Sequence, residues 1–80
     1  MTLDEISAEV ERLVRALMDG AEGEVTPTAS FEELGLDSLN RVDLLANAEI
    51  AFGIEVPDDE VAKLARVQDL TEFVASMQRG

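Results

Sequence analysis

The chain contains no cysteine and no histidine. That removes disulfides, thiolate nucleophiles, the common zinc sites and the side chain that most often serves as a general base near neutral pH. Tryptophan and tyrosine are absent as well, which leaves only three phenylalanines and little capacity for aromatic stacking. Positive charge is scarce: 6 Lys and Arg stand against 18 Asp and Glu, a net charge of −12. Such a surface repels nucleic acid and anionic membranes and favours partners that present Arg and Lys patches. No apolar run is long enough to span a bilayer, and the opening "MTLDEISAEV" is acidic and amphipathic, unlike a secretory signal. The expectation is a cytoplasmic monomer with no membrane or nucleic-acid partner.

What is present suits one small domain spanning residues 1–80. A core of this size buries about 60–65% of the unfolded chain's surface. With 46% apolar residues and a mean hydropathy of +0.03, the chain can still form one despite its charge.

Helical periodicity organises most of that apolar content. From Thr2 to about Asp19, the residues Leu3, Ile6, Val10, Leu13, Val14, Leu17 and Met18 recur at spacings of three and four, one face of a helix. Thr2 and Glu5 have capping-box spacing, and Gly20 and Gly23 in "DGAEG" can stop the helix. A long first loop follows, to about Leu36, with a single turn at "SFEELG" where Ser30 and Glu33 repeat the cap spacing and Gly35 closes it. Its own apolar residues, Val25, Phe31, Leu34 and Leu36, are expected to pack it down.

A second helix should run from about Ser38 to Phe52, capped by Asp37 or Ser38 and ended by Gly53. It carries two apolar stripes: Leu44, Leu45, Ala48, Ala51 and Phe52 on one side, and Leu39, Val42, Ala46 and Ile50 roughly opposite. One stripe serves the core; the other is expected to stay partly exposed. Ile54 and Val56 read as a short extended piece, after which Pro57 and Asp58 open a brief third helix with Val61 and Leu64 inward. The last helix, about Gln68 to Met77, turns Leu70, Phe73, Val74 and Met77 to one side. The fold class is all-α, a small four-helix bundle of three main helices and a short third one.

Ser38 in "LDSLN" is the residue on which function turns. Serine is a favoured N-cap, so capping alone would explain it. A catalytic serine needs a base in reach, and without histidine only Lys63 or a carboxylate remains. As a third reading, Ser38 accepts a covalent group from a separate enzyme. A phosphodiester there would lie beside the free N–H groups of the helix start, with Asp37 opposing it slightly.

The segments "LGLDSLNRVDLL", "FGIEVPDDEVAKL" and "VQDLTEFV" together resemble the acyl carrier protein family over essentially the whole chain. By that resemblance, Ser38 carries 4′-phosphopantetheine, installed from coenzyme A by a phosphopantetheinyl transferase using Mg²⁺, and the arm's thiol holds acyl groups as thioesters. The protein itself is then not an enzyme. The resemblance makes the second helix the recognition helix, with Asp37, Leu39, Val42, Asp43, Ala46 and Glu49 meeting basic patches on loading, condensing and tailoring enzymes.

Familiar fatty-acid carriers are acidic just after the Ser-Leu pair, whereas this chain has Asn40 and Arg41, and "AEIAF" holds only Glu49 as an acid. Changed charges imply a changed partner set, and they favour polyketide or other specialised metabolism over housekeeping fatty-acid synthesis. An aminoacyl or peptidyl carrier of a nonribosomal pathway is the alternative. The rival from another class is a cofactor-free acidic helical domain that docks an Arg-rich partner. For a long acyl cargo, Leu44, Leu45, Phe52, Leu64 and Phe73 are the expected lining. No metal site is expected: "DGAEGEVTPTAS" misses the EF-hand template, with Glu24 where glycine is required and Ser30 in place of the bidentate glutamate.

Overall fold

The computed structural model describes residues 2–18 and 25–79. Four helices follow one another there: α1 (Leu3–Leu17), α2 (Ser38–Phe52), α3 (Asp58–Val61) and α4 (Val67–Arg79). The expected all-α bundle is what forms, with α1 packed against both α2 and α4.

Helix α1 begins with the expected capping box. The Thr2 N–H donates to Glu5 Oε1 at 2.8 Å and the Glu5 N–H donates to Thr2 Oγ1 at 3.2 Å. The Thr2 N–H first, and its hydroxyl second, hold the Glu5 carboxyl below its ordinary range. Ile6, Val10, Leu13 and Val14 are buried, and Leu17 and Met18 pack at the core's margin. Leu3, one turn ahead of the core, remains exposed. The helix ends as Met18 turns extended. Gly20 and Gly23, expected to stop it, lie outside the described residues.

The first loop is built more firmly than its composition suggests. Ser30 and Glu33 form the expected reciprocal pair, Glu33 N–H to Ser30 Oγ at 3.1 Å and Ser30 N–H to Glu33 Oε1 at 3.3 Å. Gly35 closes that turn at φ +82°, a conformation that strains any residue with a Cβ, although the space around it is open. Phe31, only 1% exposed, inserts into the core with Val25 and Leu36.

The loop also pairs with the α3–α4 connection, which sequence patterning did not anticipate. Ser30 and Arg66 make an antiparallel bridge, with Phe31 N–H on the Ala65 carbonyl at 2.9 Å and Val67 N–H on the Ala29 carbonyl at 3.1 Å. The Arg66 guanidinium donates to the Thr28 carbonyl and lies 3.9 Å from Glu33. A one-residue bridge has no alternating pattern to reveal it.

Helix α4 departs from the expected stripe. Leu70 and Val74 are buried as anticipated, but the other inward residues are Val67 and Thr71, while Phe73 is half-buried and Met77 exposed. Thr71 is tolerated because its hydroxyl donates to the Val67 carbonyl at 3.3 Å, which satisfies its polar group within its own helix. Helix α2 buries Leu44, Leu45, Ala48 and Phe52. Ala51, assigned to the same face, lies outside it and is exposed. Gly53 ends α2 in the left-handed region at φ +66°, with its N–H on the Glu49 carbonyl. A side chain there would meet nothing within 4 Å, so glycine is required for its backbone freedom alone.

Candidate functional site

The site is built from the entry to α2. Leu36 is buried, and its N–H bonds back to the Phe31 carbonyl at 3.0 Å, so the chain reaches α2 from an anchored point. Asp37, in extended conformation, is the N-cap: its carboxylate accepts from the Asn40 N–H at 2.9 Å. Asn40 answers with its side-chain oxygen on the Asp37 N–H at 3.4 Å, completing a capping box that the serine/threonine–glutamate template does not cover.

This assignment decides between the two expected caps. Ser38 is the first helical residue, not the cap. It is exposed, and among the described residues its hydroxyl takes part in no hydrogen bond. Capping therefore does not explain the hydroxyl. Replacing Asp37 by alanine strands the Asn40 N–H and should cost about 1 kcal/mol. For a domain of this size that is a fall in Tm of about 4–8 °C, measurable by calorimetry or circular dichroism.

Beside Ser38 an open groove runs between α2 and α3. Its first section, about 290 Å³, is lined by Ser38, Arg41, Val42, Asp58, Val61 and Ala62. A second, about 300 Å³, continues along Val42, Leu45, Ala46, Glu49, Val56, Asp58 and Val61. The two share Val42, Asp58 and Val61, so one apolar channel with an acidic rim leads away from the serine hydroxyl.

That channel differs from the expected acyl lining. Of the five residues assigned to it, only Leu45 borders the channel. Leu44, Phe52 and Leu64 are buried in the core, and Phe73 borders a separate shallow depression with Leu64, Lys63 and Glu72.

The outer face of α2 is as its second stripe implied. Leu39 is 76% exposed, Val42 58% and Ile50 84%, with Ala46 and the carboxylates of Asp37 and Asp43 also at the surface. Glu49 is different. It is half-buried, and one of its oxygens accepts from the Val56 N–H at 2.8 Å, which ties the α2–α3 connection to the helix. Arg41 likewise reaches inward, donating to the Leu64 carbonyl at 3.1 Å. Neither long-range bond has a signature in residue spacing.

A family model described as "Phosphopantetheine attachment site" matches residues 8–74. An acyl carrier protein of Rubrobacter xylanophilus is 38% identical over 79 residues, covering 98% of both chains. The chain belongs to the acyl carrier protein family. An acyl carrier protein of Thermosynechococcus vestitus is 40% identical over 75 residues, 92% of this chain and 93% of its own. Covalently attached 4′-phosphopantetheine is the cofactor that membership brings, and it displaces the reading of a cofactor-free adaptor. As a class, acyl carrier proteins engage a phosphopantetheinyl transferase and biosynthetic enzymes.

The residues around Ser38 fit such a group. An exposed, unengaged hydroxyl offers a point of attachment, and the adjoining channel gives a tethered chain somewhere to lie. Among the described residues no helix of this carrier is long and apolar enough to cross a membrane, and no three His, Cys, Asp or Glu cluster to hold a metal.

Proposed function

We propose that residues 1–80 form one acyl carrier domain in which Ser38 is the attachment residue for 4′-phosphopantetheine. The observation that carries this is the division of labour at the start of α2: Asp37 and Asn40 do the capping, and the Ser38 hydroxyl is left exposed. In the attachment step, Ser38 Oγ forms a bond to the phosphorus of coenzyme A's pantetheine phosphate. The bond from that phosphorus to the bridging oxygen breaks, and adenosine 3′,5′-bisphosphate leaves. The serine proton passes to a base of the transferase, since this chain has no histidine to take it.

A diester on Ser38 would have the N–H groups of Ser38 and Leu39 near it, which have no intrahelical acceptor at a helix start. That placement favours an anion by about 0.3–1 kcal/mol. When bound, the arm supplies the thiol on which acyl groups are held as thioesters. The protein's own part is to position and present: it holds the attachment point rigid and offers a docking face, and it catalyses nothing.

The docking face we assign comprises Asp37, Leu39, Val42, Asp43, Ala46 and Glu49. Its first turn carries no acid beyond the cap, and Glu49 is committed to the Val56 N–H. An interface of this kind relies more on apolar contact than on charge, which supports polyketide or related specialised metabolism over housekeeping fatty-acid synthesis. Partners would then be condensing and tailoring enzymes in the cytoplasm.

Intact-mass measurement tests the attachment directly. Incubation with a broad-specificity phosphopantetheinyl transferase, coenzyme A and Mg²⁺ should add one phosphopantetheine to the wild type and none to Ser38→Ala. The variant should keep the helical circular dichroism of the parent. A wild-type mass that does not change under conditions that modify a control carrier would overturn the proposal. Challenging the holo form with malonyl-, fatty-acyl- and aminoacyl-loading enzymes then separates the pathway classes by which one charges the thiol.

A further inference from the structure

Among the described residues, four basic side chains have a carboxylate partner. Arg12 pairs with Glu9, Arg15 with Glu11 at 3.2 Å, Lys63 with Glu60 at 3.6 Å and Arg66 with Glu33 at 3.9 Å. Arg41 stands apart from them: among the described residues no carboxylate lies within salt-bridge distance of it, and its partner is the Leu64 carbonyl.

Arg41 and Ser38 are three residues apart on α2, a spacing that puts their Cβ atoms roughly 5–6 Å from each other on one face. Both line the mouth of the α2–α3 channel. One terminal nitrogen of Arg41 is engaged with the Leu64 carbonyl at 3.1 Å, which sets the direction of the half-buried side chain. A guanidinium has a planar fork of N–H donors, and a single carbonyl leaves most of them available.

We propose that Arg41 binds the phosphodiester that joins the arm to Ser38. The pair is a charge-assisted contact between a guanidinium and the non-bridging oxygens of a phosphate, the geometry for which arginine is best suited. It also offsets the repulsion between the diester and the neighbouring Asp37 carboxylate. Because the same guanidinium already holds the Leu64 carbonyl, the diester, Arg41 and Leu64 form a continuous link from the attachment point to the α3–α4 junction. The arm is thereby aimed along the mouth of the channel instead of swinging freely from α2. This inference rests on Ser38 being the attachment residue.

NMR of the apo and holo wild type tests it without any variant. Conversion to the holo form should shift the Arg41 Nε–Hε resonance and slow its exchange with water severalfold, while Arg12 and Arg66 stay unchanged. The Leu64 and Ala65 amides should gain protection at the same time. The phosphorus-31 shift of the diester should move in Arg41→Gln and return towards the wild-type value in Arg41→Lys. Complete modification by mass with unmoved Arg41 resonances overturns this inference and leaves the attachment intact. An unmodified wild type overturns both.

Discussion

Replacing Phe31 by alanine should lower folding stability by about 3–5 kcal/mol, the range for deleting a fully buried phenylalanine. An 80-residue domain has about 4–12 kcal/mol in total, so the loss removes about a quarter of it or more. Phe31 is 1% exposed and belongs to the first loop, not to a helix. Its ring is what converts a long connection into part of the core, alongside Val25 and Leu36. Its N–H is also bonded to the Ala65 carbonyl, and the next bond outward joins Val67 to Ala29. Truncation therefore loosens the packing that holds the loop to the α3–α4 connection. Urea unfolding should show a midpoint far below that of the parent, and amide exchange should rise first at Phe31, Val67 and Gln68. A stability loss of less than about 0.5 kcal/mol, an ordinary surface value, would mean that the loop does not depend on this side chain.

The same loop explains what could be read in advance and what could not. Local features were legible because their cause is local. The Thr2–Glu5 and Ser30–Glu33 boxes, the left-handed glycines at positions 35 and 53, and the buried face of α1 all follow from spacings of three or four residues. The exposed stripe of α2 was legible for the same reason. Thr71 was missed because a polar residue breaks an apolar count, even when its hydroxyl is satisfied inside its own helix. The Asp37–Asn40 box was missed because asparagine at the third position is not the usual partner.

Bonds between distant segments left no trace in the pattern. Arg41 to Leu64 spans 23 residues and Arg66 to Thr28 spans 38, and only the folded topology brings them together. The channel next to Ser38 belongs to this second group. Its walls are incompletely buried residues of α2, α3 and the connection between them, such as Val42, Val61 and Val56, whose side-by-side placement depends on how those segments pack. Ser38 stands out in the sequence through the motif around it, whereas the exposure of its hydroxyl follows from the folded helix start, where Asp37 supplies the cap.

Truncating Leu39 and Val42 together to alanine should reduce kcat/KM for the phosphopantetheinyl transferase by about 10–100-fold, as expected for losing two apolar contacts of the docking face we propose. Both side chains stand on the exposed stripe, and alanine is the best helix former, so Tm should move little. The charge-removing change Asp43→Asn provides the contrast. An exposed carboxylate acts mainly on the rate of encounter, and its effect is screened over about 10 Å at 0.1 M salt. Asp43→Asn should therefore lose only severalfold at low salt and approach the wild type at high salt, while the alanine pair stays impaired at both. The distinction follows from the first turn of α2, where Asn40 and Arg41 take the place of acids and the surface available to a partner is chiefly Leu39 and Val42. If the alanine pair kept the wild-type rate and Asp43→Asn carried the larger loss, docking would be governed by charge. The case for a partner set unlike that of a housekeeping carrier would then lose its physical basis.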